Sequence, residues 1–331
     1  LGGVTLYTQV ASLSVITQAA GDVVVIQSGS GALTVANTAV LDGAFTLAHP
    51  FGSVALEHLE LRTNRDGNDV TVTAGVGIQV GFVKAGDYYT SLADVPTPTA
   101  GAEAGVSAHG DVALVSGGAI TESGSDGGVD LIGDQVSLQA ATGITGLELA
   151  ANELLAVRTD AGDVVLSESD GRGENSPGLT VSLAEASNGS VSITSQEGLV
   201  VRMAVAGGVS AVVRVTSVNG NLEVVDPGAG AADAIQATGG VALSAGGDIA
   251  SYKFFQGPSL IEYRAGGSYG FALPGSLTAD TIVLETGGTI SIPGTIVAKD
   301  RLELVAGQNV FLGGTIAGAN GHAIGTVIIK A

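Results

Sequence analysis

The stretch Val136-Ser-Leu-Gln-Ala-Ala-Thr-Gly-Ile144 decides the fold. Val136 and Leu138 alternate with polar neighbours, which is the two-residue period of a strand with one face turned inward. Gly143 then lets the chain bend, and Ile144 opens a second short strand that points inward again. Working outward, the same frame has apolar residues at n, n+2 and n+8, with glycine between n+5 and n+7. It recurs at Val70/Val72/Ile78, Val112/Leu114/Ile120, Val191/Ile193/Leu199, Val241/Leu243/Ile249, Ile282/Leu284/Ile290 and Leu302/Leu304/Val310. Successive first residues are 42, 24, 55, 50, 41 and 20 positions apart. The spacings of 42, 41 and 20 are one or two units of about 20 to 21 residues, and the others imply uneven coils or insertions. A unit of that size cannot bury its apolar face alone and must stack on the next. The expected fold is therefore all-β: a single-stranded parallel β-helix of about 15 short, degenerate coils, continuous over residues 1–331. The crossover preference of parallel strands makes it right-handed.

Composition agrees. Glycine fills 52 of 331 positions, about twice its usual share. Hydrophobic residues reach 45%, too many for a disordered chain, while aromatics are only 4% and tryptophan and cysteine are absent. With no cysteine there is neither a disulfide nor a thiolate metal site. Twelve basic residues stand against 32 acidic ones, a net charge of −20. Such a surface repels phosphate backbones and anionic membranes, so nucleic-acid binding is not expected; no apolar run approaches the roughly 18 residues of a spanning helix, so membrane insertion is not expected either. The only helical candidate, Leu147-Glu-Leu-Ala-Ala-Asn-Glu-Leu-Leu-Ala156, reads better as two strands with Asn152 at the bend. Both ends, Leu1-Gly-Gly-Val-Thr-Leu6 and Thr326-Val-Ile-Ile-Lys-Ala331, are strand-like and read as parts of a continuing pattern.

The run Leu154-Leu-Ala-Val-Arg-Thr-Asp-Ala-Gly-Asp-Val-Val-Leu166 resembles the repeats of filamentous-haemagglutinin-type proteins, as do residues 136–144 and Ile282-Val-Leu-Glu-Thr-Gly-Gly-Thr-Ile290. The resemblance is one of repeat style, spread over residues 50–331 and weaker before them. It implies a large secreted bacterial adhesin at the cell surface, with this segment as a stalk. Its partners would be further coils of the same chain or neighbouring subunits, with host or environmental glycans or proteins as ligands. It carries over no catalytic residue, and the unit lengths here are less regular than in that family.

Three segments break the frame and are expected to be inserted loops. Residues 83–108 hold the paired tyrosines Tyr88 and Tyr89. Residues 166–178 hold Glu168, Asp170 and Glu174, oxygen donors of the kind calcium takes but without the spacing of a calcium loop. Gly127-Gly-Val-Asp-Leu131 likewise matches one copy of a calcium-binding nonapeptide, where tandem copies are needed. No cofactor is expected beyond that weak calcium signal. Residues 251–271 gather Tyr252, Phe254, Phe255, Tyr263, Tyr269 and Phe271, with Lys253 and Arg264 among them. This cluster reads either as a contact patch for a sugar face or protein, or as an aromatic plug over the core.

Catalysis on such a scaffold needs clustered carboxylates and bases. Arg158, Asp160 and Asp163, or Glu60, Arg62, Arg65 and Asp69, are the candidates, and turn or solvent-face roles account for them equally. The histidines His49, His58, His109 and His322 lack metal-ligand spacing, and the Gly-Asp pairs at 21–22, 110–111, 162–163 and 247–248 read as turns. The expectation is a structural, non-catalytic segment. The alternative is a glycan-binding or polysaccharide-cleaving module built on residues 251–271.

Overall fold

The computed structural model describes residues 2–63, 65, 67–86, 110–124, 128–168, 178–226, 234–251, 259–271, 276–319 and 323–331, with the side chains of 271 and 276 left aside. The described residues form short strands and turns and no α-helix, and the pairings recorded between them are parallel. The fold is a parallel β-solenoid. The chain divides into two compact units, Leu1–Asp160 with Val165–Ser176 and Ala161–Val164 with Pro177–Ala331.

In the first unit a long face carries Val4–Thr8, Val23–Gln27, Phe45–His49, Val70–Ala74 and Val112–Ser116, followed by the latter parts of Leu131–Ala140 and Ile144–Thr159. Pairing aligns Val4, Val23, Phe45, Val70, Val112, Val136 and Leu154 in one column. The steps are 19, 22, 25, 42, 24 and 18 residues, six turns in all. After a bend, a second face stacks Leu33, Val54, Ile78, Ile120 and Ile144. A third face stacks Thr38, Leu59, Val83, Leu131 and Leu149.

The second unit repeats the plan. Val191, Val213, Val241, Ile261, Ile282, Leu302 and Val327 align on its long face in steps of 22, 28, 20, 21, 20 and 25, again six turns. Leu179, Leu199, Leu222, Ile249, Tyr269, Ile290 and Val310 form the second-face column.

The n, n+2, n+8 frame is thus two inward positions on the long face and one on the second. From Val70 to Ile290 its residues are 0–1% exposed. Each such side chain contributes about 1.5–3 kcal/mol on burial.

The spacings resolve differently from a uniform unit of about 20 residues. The step of 42 between Val70 and Val112 is one coil carrying an insertion, because the two strands pair directly. The steps of 50 and 41 are two coils each, through Val213 and Ile261. The repeat also extends before residue 50, through Val4, Val23 and Phe45, where longer turns shift the second-face residue. The helical candidate belongs to strand Ile144–Thr159, with Asn152 donating to Asp134 Oδ1 at 2.5 Å.

All three expected insertions were drawn too wide: residues 166–168 belong to the regular strand Val164–Glu168. Val83–Ala85 is a regular third-face strand, paired with Leu59–Leu61. Leu260–Ala265 and Tyr269–Phe271 are regular long-face and second-face strands, since Ile261, Tyr263 and Tyr269 occupy n, n+2 and n+8.

The turn glycines serve mainly close approach. Gly246, Gly266, Gly287 and Gly307 follow the long face on successive coils, each N–H donating to the end of the strand one rung back. None of the four has a positive φ. A Cβ on Gly266, Gly287 or Gly307 would instead press into the carbonyl of the glycine stacked behind it. The column beside them is small for the same reason: Ser217, Ala245, Ala265, Thr286 and Ala306.

The Gly-Asp turns do more than bend. The Asp22, Asp111, Asp163 and Asp248 carboxylates accept from the N–H groups of Ala44, Gln135, Ser190 and Ser268, at 3.0, 3.1, 2.8 and 2.6 Å, each on the next coil. Part of the chain's acidity is therefore a set of brackets between coils.

Gly287→Ala is expected to cost about 1–3 kcal/mol through overpacking. Gly270→Ala, where a Cβ meets open space, should lie within about 0.5 kcal/mol of wild type. Urea denaturation of the two variants checks this; equal effects would remove close stacking as the reason for glycine.

Candidate functional site

The most unusual chemistry among the described residues is a carboxylate corner in the first unit. Ile120 points inward on strand Ile120–Glu122, so alternation turns Glu122 inward too, where the preceding coils place Leu56 and Val80. Asp130 stands at the bend into the third face, and Glu148 occupies the same bend one coil later. The two are laced together: Asp130 N–H donates to the Glu148 carbonyl at 2.8 Å, and Glu148 N–H donates to Asp130 Oδ2 at 2.9 Å. Val83 N–H donates to the Asp130 carbonyl at 2.7 Å from the coil before.

One carboxylate oxygen from each of Glu122, Asp130 and Glu148 lies within 4.8 Å of the others. Asp130 is 2% exposed, and Glu148 Oε2 is buried without a hydrogen-bond partner. Burial is the largest influence on Asp130 and pushes its carboxyl up to about 7; the Glu148 N–H opposes this, while the Glu148 carboxyl and the charge on Glu122 reinforce it. Three carboxylate oxygens fall short of the six to eight donors calcium takes. They are also packed more tightly than the roughly 5–9.5 Å that glycoside hydrolysis leaves for the sugar and water.

The sequence reading touched this corner only through Asp130, in Gly127-Gly-Val-Asp-Leu131, and missed Glu122 and Glu148. The available signal was the register. Two residues beyond Ile120 of the frame, an inward position carries a charge.

The expected aromatic patch does not form as drawn. Tyr263 and Tyr269 are each 1% exposed and face one another inside the second unit, ring centroids 5.3 Å apart. They stand in columns with Leu243 and Leu284, and with Ile249 and Ile290, so they fill the interior and present no surface to a ligand. Burial pushes both phenols well above their ordinary value of 10. Arg264 is outside but engaged, with Glu262 at 2.7 Å and Glu285 at 3.1 Å. Tyr252, Phe254, Phe255, Tyr88 and Tyr89 lie outside the described residues, as does the side chain of Phe271.

Of the calcium candidates, Glu168 is buried at the end of strand Val164–Glu168, while Asp170 and Glu174 lie outside the described residues. The second set of catalytic candidates has structural uses. Arg62 pairs with Glu60 at 2.7 Å and Arg65 with Asp42 at 2.8 Å, while Asp69 accepts from Asp111 N–H at 2.9 Å. His49 is buried with Nε2 at 2.6 Å from the Gly31 carbonyl, and His58 stacks on Phe82 at 5.0 Å. His109 and His322 lie outside the described residues.

The outermost described rungs differ from those between them. Val4 is 47% exposed, and Val327 and Ile329 are 50% and 47% exposed, at register positions that are fully covered on inner coils.

No family model matches the chain, and no curated protein or solved structure matches it. The likeness to filamentous-haemagglutinin-type repeats therefore rests on repeat style alone.

Tyr263 and Tyr269 give a spectroscopic prediction. Their folded values lie above the unfolded value of 10, so the stability they hold is complete below that pH and is lost as pH rises past it. In an alkaline absorbance titration, two of the six tyrosines should ionise only together with unfolding. Smooth titration of all six in a folded chain would place these rings outside the core.

Proposed function

We propose that this chain is a structural, non-catalytic β-solenoid segment of a secreted bacterial surface protein of the adhesin type. Its mechanism is mechanical. Backbone ladders between coils and aliphatic columns inside them make a stiff, protease-resistant support, and the inserted segments carry contacts to partners. The observation that carries this reading is where the chemistry-bearing side chains go. Aspartates at the turns bracket one coil to the next, arginines pair with neighbouring carboxylates, and the two described aromatic rings of residues 251–271 are core.

The end rungs support a continuing stack. Val4 and Leu6 at one end and Val327 and Ile329 at the other hold inward register, and a parallel edge offers unpaired donors and acceptors to the next strand. Further coils of the same polypeptide or neighbouring subunits would close these rungs.

The rival reading, a module that binds or cleaves glycans, loses Tyr263 and Tyr269 as stacking platforms. It also gains no open acid–base pair from the carboxylate corner, because Asp130 is covered.

Sedimentation and negative-stain electron microscopy test the proposal. The chain is expected to associate end to end with rising concentration. Val327→Asp combined with Ile329→Lys should leave it dispersed, with its circular dichroism unchanged. A wild-type chain that stays monomeric at high concentration would defeat open-ended stacking. Glycan hydrolysis in a screen of polysaccharides would favour the rival.

A further inference from the structure

We propose that a proton held at the buried Asp130 carboxyl, against the Glu148 carboxyl of the next coil, closes a pH-sensitive latch between adjacent coils that is released as pH rises. The geometry carries it. Both residues sit at the same bend of consecutive coils, joined by the reciprocal backbone and side-chain bonds already described. One oxygen of each carboxyl lies within 4.8 Å of the other's. Two carboxylates have only acceptors to offer, so the contact is a bond when one of them is protonated. Asp130 has almost no solvent to hold a charge, and Glu148 Oε2 is sealed without a donor. Buried like charges at this distance do not both ionise without a counter-charge.

The surroundings reinforce the effect. Glu122 adds a third negative group from the preceding strand of the same coil. On the coil before, Val83 offers only its N–H to the Asp130 carbonyl. Among the described residues the ionisable groups there include Lys84, paired in register with Ile132 and with Glu60, and, one coil further, His58 behind the Phe82 ring; Asp87 lies outside the described residues. Asp126, on the chain between Glu122 and Asp130, lies outside the described residues.

The direction of the pH effect follows from linkage. Unfolded, Asp130 is an ordinary carboxyl near 3.8; folded, it keeps its proton up to about 7. Between those values the folded chain binds one more proton than the unfolded chain, so folding weakens as pH rises through that window and levels off above it. The contribution is complete below the unfolded value. One proton changes the folding equilibrium about tenfold per pH unit.

Asp130→Asn provides the test. The amide can still accept from Glu148 N–H and can donate to the Glu148 carboxylate, without titrating. Urea denaturation of the full chain and this variant is compared from about pH 5 to about pH 8.5. The ratio of the variant's folding constant to that of wild type should rise about tenfold per unit to about pH 7 and then flatten, leaving the variant the more stable protein. A constant ratio would overturn the latch. A wild-type midpoint raised by millimolar calcium at about pH 8 and unresponsive in the variant would also overturn it, by showing that a cation takes the proton's place. Infrared spectroscopy of the wild-type chain needs no variant. A protonated-carboxyl band at about pH 6 should vanish by about pH 8.5, and its absence at the lower pH would overturn the assignment.

Discussion

A single coil of this chain cannot hide its own apolar residues, and the rest of the structure depends on that constraint. Two inward residues on a long face and one or two on each shorter face make a ring with no interior of its own. Only the coil above and the coil below complete the burial of Leu114, Ile120 and Leu131. Register follows at once, because a slip of one residue would turn every inward side chain out. The small column Ser217–Ala245–Ala265–Thr286–Ala306 and the glycines beside it let the turns approach closely enough to keep that register.

The same constraint organises the polar groups. A turn stacked on a turn leaves a backbone N–H facing the coil before it. Aspartates 22, 111, 163 and 248 meet those donors, which gives a physical use to residues that otherwise read as a diffuse negative surface. The carboxylate corner is the exception. At Glu122, Asp130 and Glu148, stacking brings acidic groups together and the fold has to hold them with a proton or a counter-ion.

Much of the fold was legible because period-2 alternation and a glycine at a near-constant offset are local signals. Residues 136–144 predict two strands and a bend, and the structure has them. What sequence spacing could not separate was one coil with an insertion from two coils. Val70 to Val112 is the former and Val241 to Ile282 the latter, at nearly equal lengths, because the closing contact is non-local. The aromatic segment stayed ambiguous for a related reason. By composition its tyrosines read as a surface patch or as a plug over the core, and only the n, n+2, n+8 frame of Ile261, Tyr263 and Tyr269 puts these two rings inside. Glu122 and Glu148 were invisible as a pair, since their meeting is a product of stacking.

In-register stacking has a direct chemical test, helped by the absence of cysteine from the chain. Thr73 and Val115 are outward neighbours on adjacent long-face rungs, 42 residues apart in sequence, and Gln139 is the next residue along that row. Rungs lie about 4.8 Å apart, within disulfide reach, whereas two rungs span about 9.6 Å, beyond the roughly 7 Å limit. Mild oxidation of the chain carrying Thr73→Cys and Val115→Cys should therefore close a disulfide in the folded monomer. The chain carrying Thr73→Cys and Gln139→Cys should stay reduced. An open first pair, or a bridge between 73 and 139, would contradict the stacked solenoid on which the proposed function and the latch both stand.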